Sequence, residues 1–151
     1  MMHTALFLHL LSVVIWVGGM FVAYMCLRPV AASVLEAPQR LRLWEGVFAR
    51  FFPWVWAAVV LLPVTGFWMI WRMGGFGSAG LYVHIMLGLG VVMILIFLHV
   101  FFGPYRRLKA AVAAQDFPAA GKRLAQIRQL IAVNLTLGLI IIAVVRLLRG
   151  G

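Results

Sequence analysis

A chain of 151 residues has room for about one domain, and this one is 66% apolar and 11% charged. Ordinary soluble domains carry about 25% charged residues, so that class is set aside. The net charge of +10 does not read as nucleic-acid binding, because the basic residues are segregated between apolar runs rather than gathered on one face. The lone cysteine, Cys26, excludes an internal disulfide and any multi-cysteine metal site.

Apolar runs of roughly 18 or more residues read as transmembrane helices. Four occur, at about 4–27, 51–73, 80–103 and 129–148. The expected fold is therefore all-α: an integral membrane four-helix bundle in up-down-up-down order, forming a single membrane domain over 1–151. Amphipathic connectors at 28–50 and 104–128 join the spans. The first run lacks a basic n-region and a small-x-small cleavage site, so it is expected to remain as a span. Ten of the 13 Lys and Arg residues lie in the two long connectors, and only Arg72, Arg146 and Arg149 lie at the opposite ends. That asymmetry predicts cytoplasmic connectors and both termini outside. The basic rim is expected to attract anionic lipid headgroups.

In chain order, Met1-Met2-His3 opens on the expected outer side. An amine followed by histidine at the third position suits the square-planar nitrogen set of Cu(II), and the neighbouring thioethers suit Cu(I); the plain alternative is a helix entrance. Span one carries His9, Ser12, Trp16 and Gly19 on one helical stripe. Polar groups at membrane depth are costly, so this stripe is expected to face protein or cofactor. Gly18 and Gly19 allow close approach of either a flat ligand or another helix. The span closes on Met25, Cys26, Arg28 and Pro29, and Pro29 is expected to end or kink it.

In the first connector, Leu41, Trp44 and Phe48 recur at helical spacing, as in an interfacial amphipathic segment. Pro63 in span two is expected to bend the helix, with Thr65 or a neighbouring helix meeting the freed carbonyl. Trp68, Trp71 and Tyr82 fit an outer aromatic belt, and Arg72 there serves either as an interfacial anchor or as a partner for an anionic cofactor group. The glycine-rich stretch 74–80 lacks the Lys-Ser/Thr ending of a phosphate loop and reads as a turn.

Span three places His84 near its outer end and His99 near its inner end. Fifteen residues put them roughly 22 Å apart along the helix, too far for one ion. Gly88 lies one turn below His84. Asp116 and Pro118 read as the cap and first turn of a helix. Span four carries Asn134, which with Tyr24 is one of two ordinary hydrogen-bond partners expected for His99, and Arg146.

His9 and His84 are expected at nearly equal depth on diagonal helices, which in a bundle stand roughly 11–14 Å apart. Two imidazoles cannot meet across that gap, but both can reach the iron of one haem b. In this reading Arg72 and Arg146 pair with the propionates, while Trp16, Gly19 and Gly88 give floor and clearance. The copper alternative draws on Met1, Met2, His3, His9 and His84 outside and on Met25, Cys26 and His99 inside. A second alternative is a cofactor-free structural subunit. No carboxylate lies within a span, which argues against hydrolase chemistry.

The run Leu8-His9-Leu10-Leu11 through Trp16-Val17-Gly18-Gly19-Met20, then Leu27-Arg28-Pro29, with Thr65-Gly66 later, resembles the membrane CopD copper-resistance family. The His-to-Trp interval, His84, His99 and the Arg128–Asn134 stretch also resemble the HemJ family of protoporphyrinogen oxidases. Met86, Leu135 and Leu137 stand where that family carries a lysine, an acidic residue and a proline, which counts against porphyrinogen oxidation. The resemblance implies a multi-pass protein of a bacterial-type inner (plasma) membrane that handles haem or copper. With haem it would be an oxidoreductase passing electrons to or from a redox partner protein, a quinone or a porphyrin. A homo-oligomer remains open.

Overall fold

The computed structural model describes residues 1–149. Helix α1 (Met2–Phe21) runs through a π-helical segment (Val22–Leu27) into α2 (Arg28–Val34). Then come α3 (Ala37–Arg72), a 3₁₀ turn (Phe76–Ser78), α4 (Leu81–Phe102), α5 (Pro104–Ala113) and α6 (Phe117–Arg149). Among the described residues there is no strand. Four helical stretches, Met2–Val34, Ala37–Arg72, Leu81–Ala113 and Phe117–Arg149, are long and apolar enough to cross a membrane. The all-α class and the four spans hold, and the chain is a multi-pass membrane protein.

The spans are longer than expected because the connectors are helical too. At 1.5 Å per residue the 36 residues of α3 reach about 54 Å, well beyond a hydrocarbon core of about 30 Å. Glu36 and Gln39 form a capping box at the start of α3, so the chain turns from α2 into α3 with little loop. Leu41, Trp44 and Phe48 are buried at 3%, 5% and 2% exposure. The stripe that reads as interfacial therefore packs on protein, together with Tyr105, Leu108 and Val112 of α5 and Ile127 of α6.

Pro29 and Pro63 both sit within continuous helical stretches. Pro29 neither ends the helix nor breaks it. In a regular helix its ring would press on the Met25 carbonyl, but the wider i→i+5 turns of Val22–Leu27 immediately before it make room. Pro63 stays inside the continuous α3. Thr65 turns its hydroxyl to the Leu61 carbonyl at 2.6 Å, not to the Val59 carbonyl that Pro63 leaves without its usual partner. Asp116 does cap α6 as expected, accepting from the Ala119 N–H at 3.3 Å.

Helix α1 packs along α3, and α6 packs along α4 and α5. The pairing of α1 with α3 is antiparallel, since His9 meets Thr65 while Gly19 abuts Phe51. An aromatic cluster fills the half of the bundle nearer the basic connectors. Phe52 stacks on Phe48 at 5.0 Å and meets Tyr105 edge-on at 4.8 Å and Phe97 at 5.5 Å. Such edge and stacked pairs each add about 0.5–1.5 kcal/mol beyond area burial. Between α4 and α6, Asn134 donates from Nδ2 to the Met93 carbonyl at 3.1 Å, fully inside the bundle. Hydrogen bonds of this kind in membrane bundles average about 0.6 kcal/mol, with a maximum near 1.7.

Candidate functional site

Where the aromatic packing stops, the bundle opens. A cavity of about 440 Å³ lies between the helices in the half opposite the basic connectors, lined by residues of α1, α3, α4 and α6. That volume is in the range of small-ligand pockets. His9 is the titratable side chain set into its wall from α1. Its Nδ1 lies 2.8 Å from Thr65 Oγ1. The threonine has one hydroxyl proton, and two carbonyls compete for it, Leu61 at 2.6 Å and Leu62 at 3.3 Å. Thr65 must therefore accept from the imidazole, which assigns the proton of neutral His9 to Nδ1. Nε2 is left with its lone pair, the form that ligates metals. Gly66 lies against the same ring, so that a Cβ there would stand 3.5 Å from His9 Cε1. The Thr65-Gly66 pair thus sets the imidazole from two sides.

Apart from Tyr82 and Arg149, the rest of the wall is soft and apolar. Met2 from α1, Met69 from α3 and Met73 just past its end, and Met86 and Met93 from α4 all line the cavity. Five of the chain's eight methionines thus share one space with the oriented histidine. Met69, Met73, Met86 and Met93 were not expected at the site. The i,i+4 spacing of Met69 and Met73 and the i,i+7 spacing of Met86 and Met93 were legible as one-face pairs. Each pair taken alone reads equally well as core filling.

The expected His9–His84 pairing is not formed. His84 is exposed, and its Nε2 lies 3.2 Å from the Phe76 carbonyl. The reason is helical phase. Val83, Met86, Leu87 and Gly90 of α4 face the cavity, whereas His84, Gly88, Leu95 and His99 follow one another along its exposed side. Matched depth is a property of residue count, while facing is a property of the remainder modulo 3.6 residues per turn. Gly88 is exposed on that same side, and a Cβ added there would meet nothing within 4 Å. His99 does not meet Asn134, which is buried against Met93 instead.

The remaining expected ligands are scattered. Arg72 is exposed with its guanidinium 5.8 Å over the Trp68 ring, and Arg146 is exposed away from the cavity. Met1, His3, Met25 and Cys26 are exposed as well, the last two on the π-helical segment. Trp16 does line the cavity, buried at 3% and edge-on to Phe97 at 6.4 Å, so it forms the floor. Gly19 lies deeper, where a Cβ would overlap the Phe51 ring. Of the two readings of Gly19, this is the packing seam. Among the described residues no three His, Cys, Asp or Glu side chains group as a metal site. Any ion held here has to be bound mainly by thioethers.

Fold and site together define a four-span membrane protein whose one oriented imidazole opens into a methionine-rich cavity inside the bundle. The chain belongs to the CopD family: the family described as Copper resistance protein D matches residues 45–148. The match takes in α4, α5, most of α3 and nearly all of α6, including Thr65, Gly66 and the cavity methionines Met69, Met73, Met86 and Met93, and begins after the helix that carries His9. It lends no support to the protoporphyrinogen-oxidase resemblance. Searches of curated proteins and of solved structures each found no match.

Proposed function

We propose that this protein handles copper in the membrane, taking Cu(I) as cargo into the cavity on His9 Nε2 and methionine thioethers. The observation that carries the reading is the Thr65–His9 hydrogen bond, which leaves a neutral imidazole lone pair in a space shared with five methionines. Thioether and imidazole donors favour Cu(I) among available metals. Membership of the copper-resistance family supports the same cargo. Apart from Tyr82 and the exposed Arg149 the cavity wall is otherwise apolar, so water is a poor competitor for the ion and the soft ligands hold it without a balancing carboxylate. Haem ligation by His9 and His84 is not part of this proposal, because the two rings stand on different sides of α4.

Titration of the detergent-purified protein with Cu(I), in competition with a chromophoric Cu(I) chelator, tests the reading. About one bound Cu(I) per chain is expected, with Met69→Leu and Met86→Leu each weakening retention on the order of tenfold, equivalent to about 1.4 kcal/mol. These swaps conserve volume and leave the packing in place. Protein that ignores Cu(I), or that is purified with a haem Soret band, would overturn the assignment.

The cavity lies toward the ends of the spans that carry few charges, so the positive-inside pattern puts it on the outer side of a bacterial-type inner membrane. A reporter fused after the C-terminus is expected to report that outer side. A cytoplasmic signal would invert the proposed direction of copper entry.

A further inference from the structure

A second cavity, of about 340 Å³, lies at the opposite end of the bundle, on the basic face. Three arginines from three different elements reach it: Arg28 of α2, Arg40 of α3 and Arg128 of α6, with no carboxylate in its lining. Arg28 is held in place through Nε, which donates to the Tyr24 carbonyl at 3.3 Å, and its guanidinium lies 4.5 Å over the Tyr24 ring. That leaves its two terminal nitrogens for a ligand. Arg40 is tethered similarly, from Nη1 to the Leu35 carbonyl at 3.4 Å. Guanidiniums fixed in this way present planar forks suited to phosphate oxygens.

The other half of the lining is apolar and aromatic, with Trp44, Phe48 and Ile131 on its deeper side. Arg28 closes the first apolar run and Arg128 precedes the fourth, so the charges sit at the headgroup level. Phe48 lies two turns further along α3 from Arg40 toward the second span, and Ile131 lies inside the fourth apolar run. The cavity therefore grades from triple positive charge to hydrocarbon along the membrane normal. A small soluble anion would use only the first half of that gradient.

We propose that this cavity is a binding site for one anionic phospholipid, its phosphate on Arg28, Arg40 and Arg128 and the start of an acyl chain against Trp44, Phe48 and Ile131. Basic pockets between membrane helices bind lipid headgroups in this manner. The occupant differs from the diffuse lipid attracted by the exposed basic rim, because Arg106, Arg107 and Lys109 of α5 carry equal charge outside the cavity.

Native mass spectrometry of the full chain, released from bilayers of equal parts dioleoylphosphatidylglycerol and dioleoylphosphatidylcholine, distinguishes the cases. The unmodified protein is expected to retain phosphatidylglycerol over phosphatidylcholine by at least about fivefold, the equivalent of one arginine contact at about 1 kcal/mol. The triple variant Arg28→Gln, Arg40→Gln, Arg128→Gln is expected to lose that preference. Arg106→Gln, Arg107→Gln, Lys109→Gln is expected to keep it, and added inorganic phosphate is expected not to displace the lipid. Equal retention of both lipids by the unmodified protein overturns the proposal without reference to any variant. Equal losses in the two triple variants would reduce it to general rim attraction, and displacement by inorganic phosphate would show a soluble-anion site instead.

Discussion

His9→Ala is expected to lower Cu(I) retention on the order of 100-fold or more, beyond the 10–100-fold typical of removing a residue that merely orients a ligand. The imidazole is the one nitrogen ligand set into the cavity wall, and five thioethers cannot replace its stronger donation. Thr65→Val provides the graded comparison. It keeps the β-branched shape in α3 but removes the oxygen that accepts from His9 Nδ1 at 2.8 Å. The ring then loses both its tautomer bias and its orientation, and a 10–100-fold loss is expected. Thr65→Ser restores the oxygen and is expected to restore binding. The ordering Ala at position 9 below Val at position 65, with Ser near the unmodified protein, is read by the same chelator competition. Circular dichroism and gel filtration confirm that the variants fold. Unchanged binding in His9→Ala would remove the imidazole from the site. Equal binding by Thr65→Val and Thr65→Ser would show that the hydroxyl sets nothing.

Gly138→Ala is expected to destabilise the bundle although alanine is the better helix former. A Cβ at Gly138 would stand 2.8 Å from Val17 Cγ2 and 3.4 Å from Met93 Cε. The methionine can yield, but Val17 is buried and its branched side chain is stiff in a helix. Overpacking of this kind costs about 1–3 kcal/mol, against a helix-propensity gain of about 1 kcal/mol for Gly→Ala. The net expectation is a loss of about 1 kcal/mol, rising for Gly138→Val, which adds bulk without the propensity gain. Gly88→Ala carries the opposite sign. It sits in the interior of α4 with nothing within 4 Å of where an added methyl would stand, so the propensity gain of up to about 1 kcal/mol stands alone. Denaturant titration in detergent micelles measures both. A stabilising Gly138→Ala would mean that α1 and α6 do not approach as closely as the Val17 contact requires.

Much of the architecture was legible because it depends on composition and run length. Lipid leaves the backbone no partner but itself, so long apolar runs between basic connectors specify membrane helices without further information. The cap at Asp116 was equally local. The readings that failed were those needing a partner or an angle. Pro29 reads as a helix end until the π-helical turns before it are known. Leu41, Trp44 and Phe48 show a real apolar stripe, but the stripe alone does not say whether lipid or α5 and α6 cover it.

The site divides in the same way. His9 could be singled out from the sequence, since an imidazole within an apolar run has to be satisfied somewhere, and Thr65-Gly66 stood out through the family resemblance. The link between them could not be read, because 56 residues separate His9 from Thr65 and only the antiparallel packing of α1 on α3 brings them to 2.8 Å. Residue counting placed His84 at a plausible depth, yet the rotation of α4 about its axis turned it outward with His99 and turned Met86 inward. That rotation is set by which side chains of α4 pack best against α6 and around Phe97, a sum over many small contacts. The sequence by itself determined four membrane helices, their charge asymmetry and one imidazole in need of a partner. Tertiary structure decided that the partner is a threonine rather than a second histidine, since facing depends on helix rotation and run length carries no information about it.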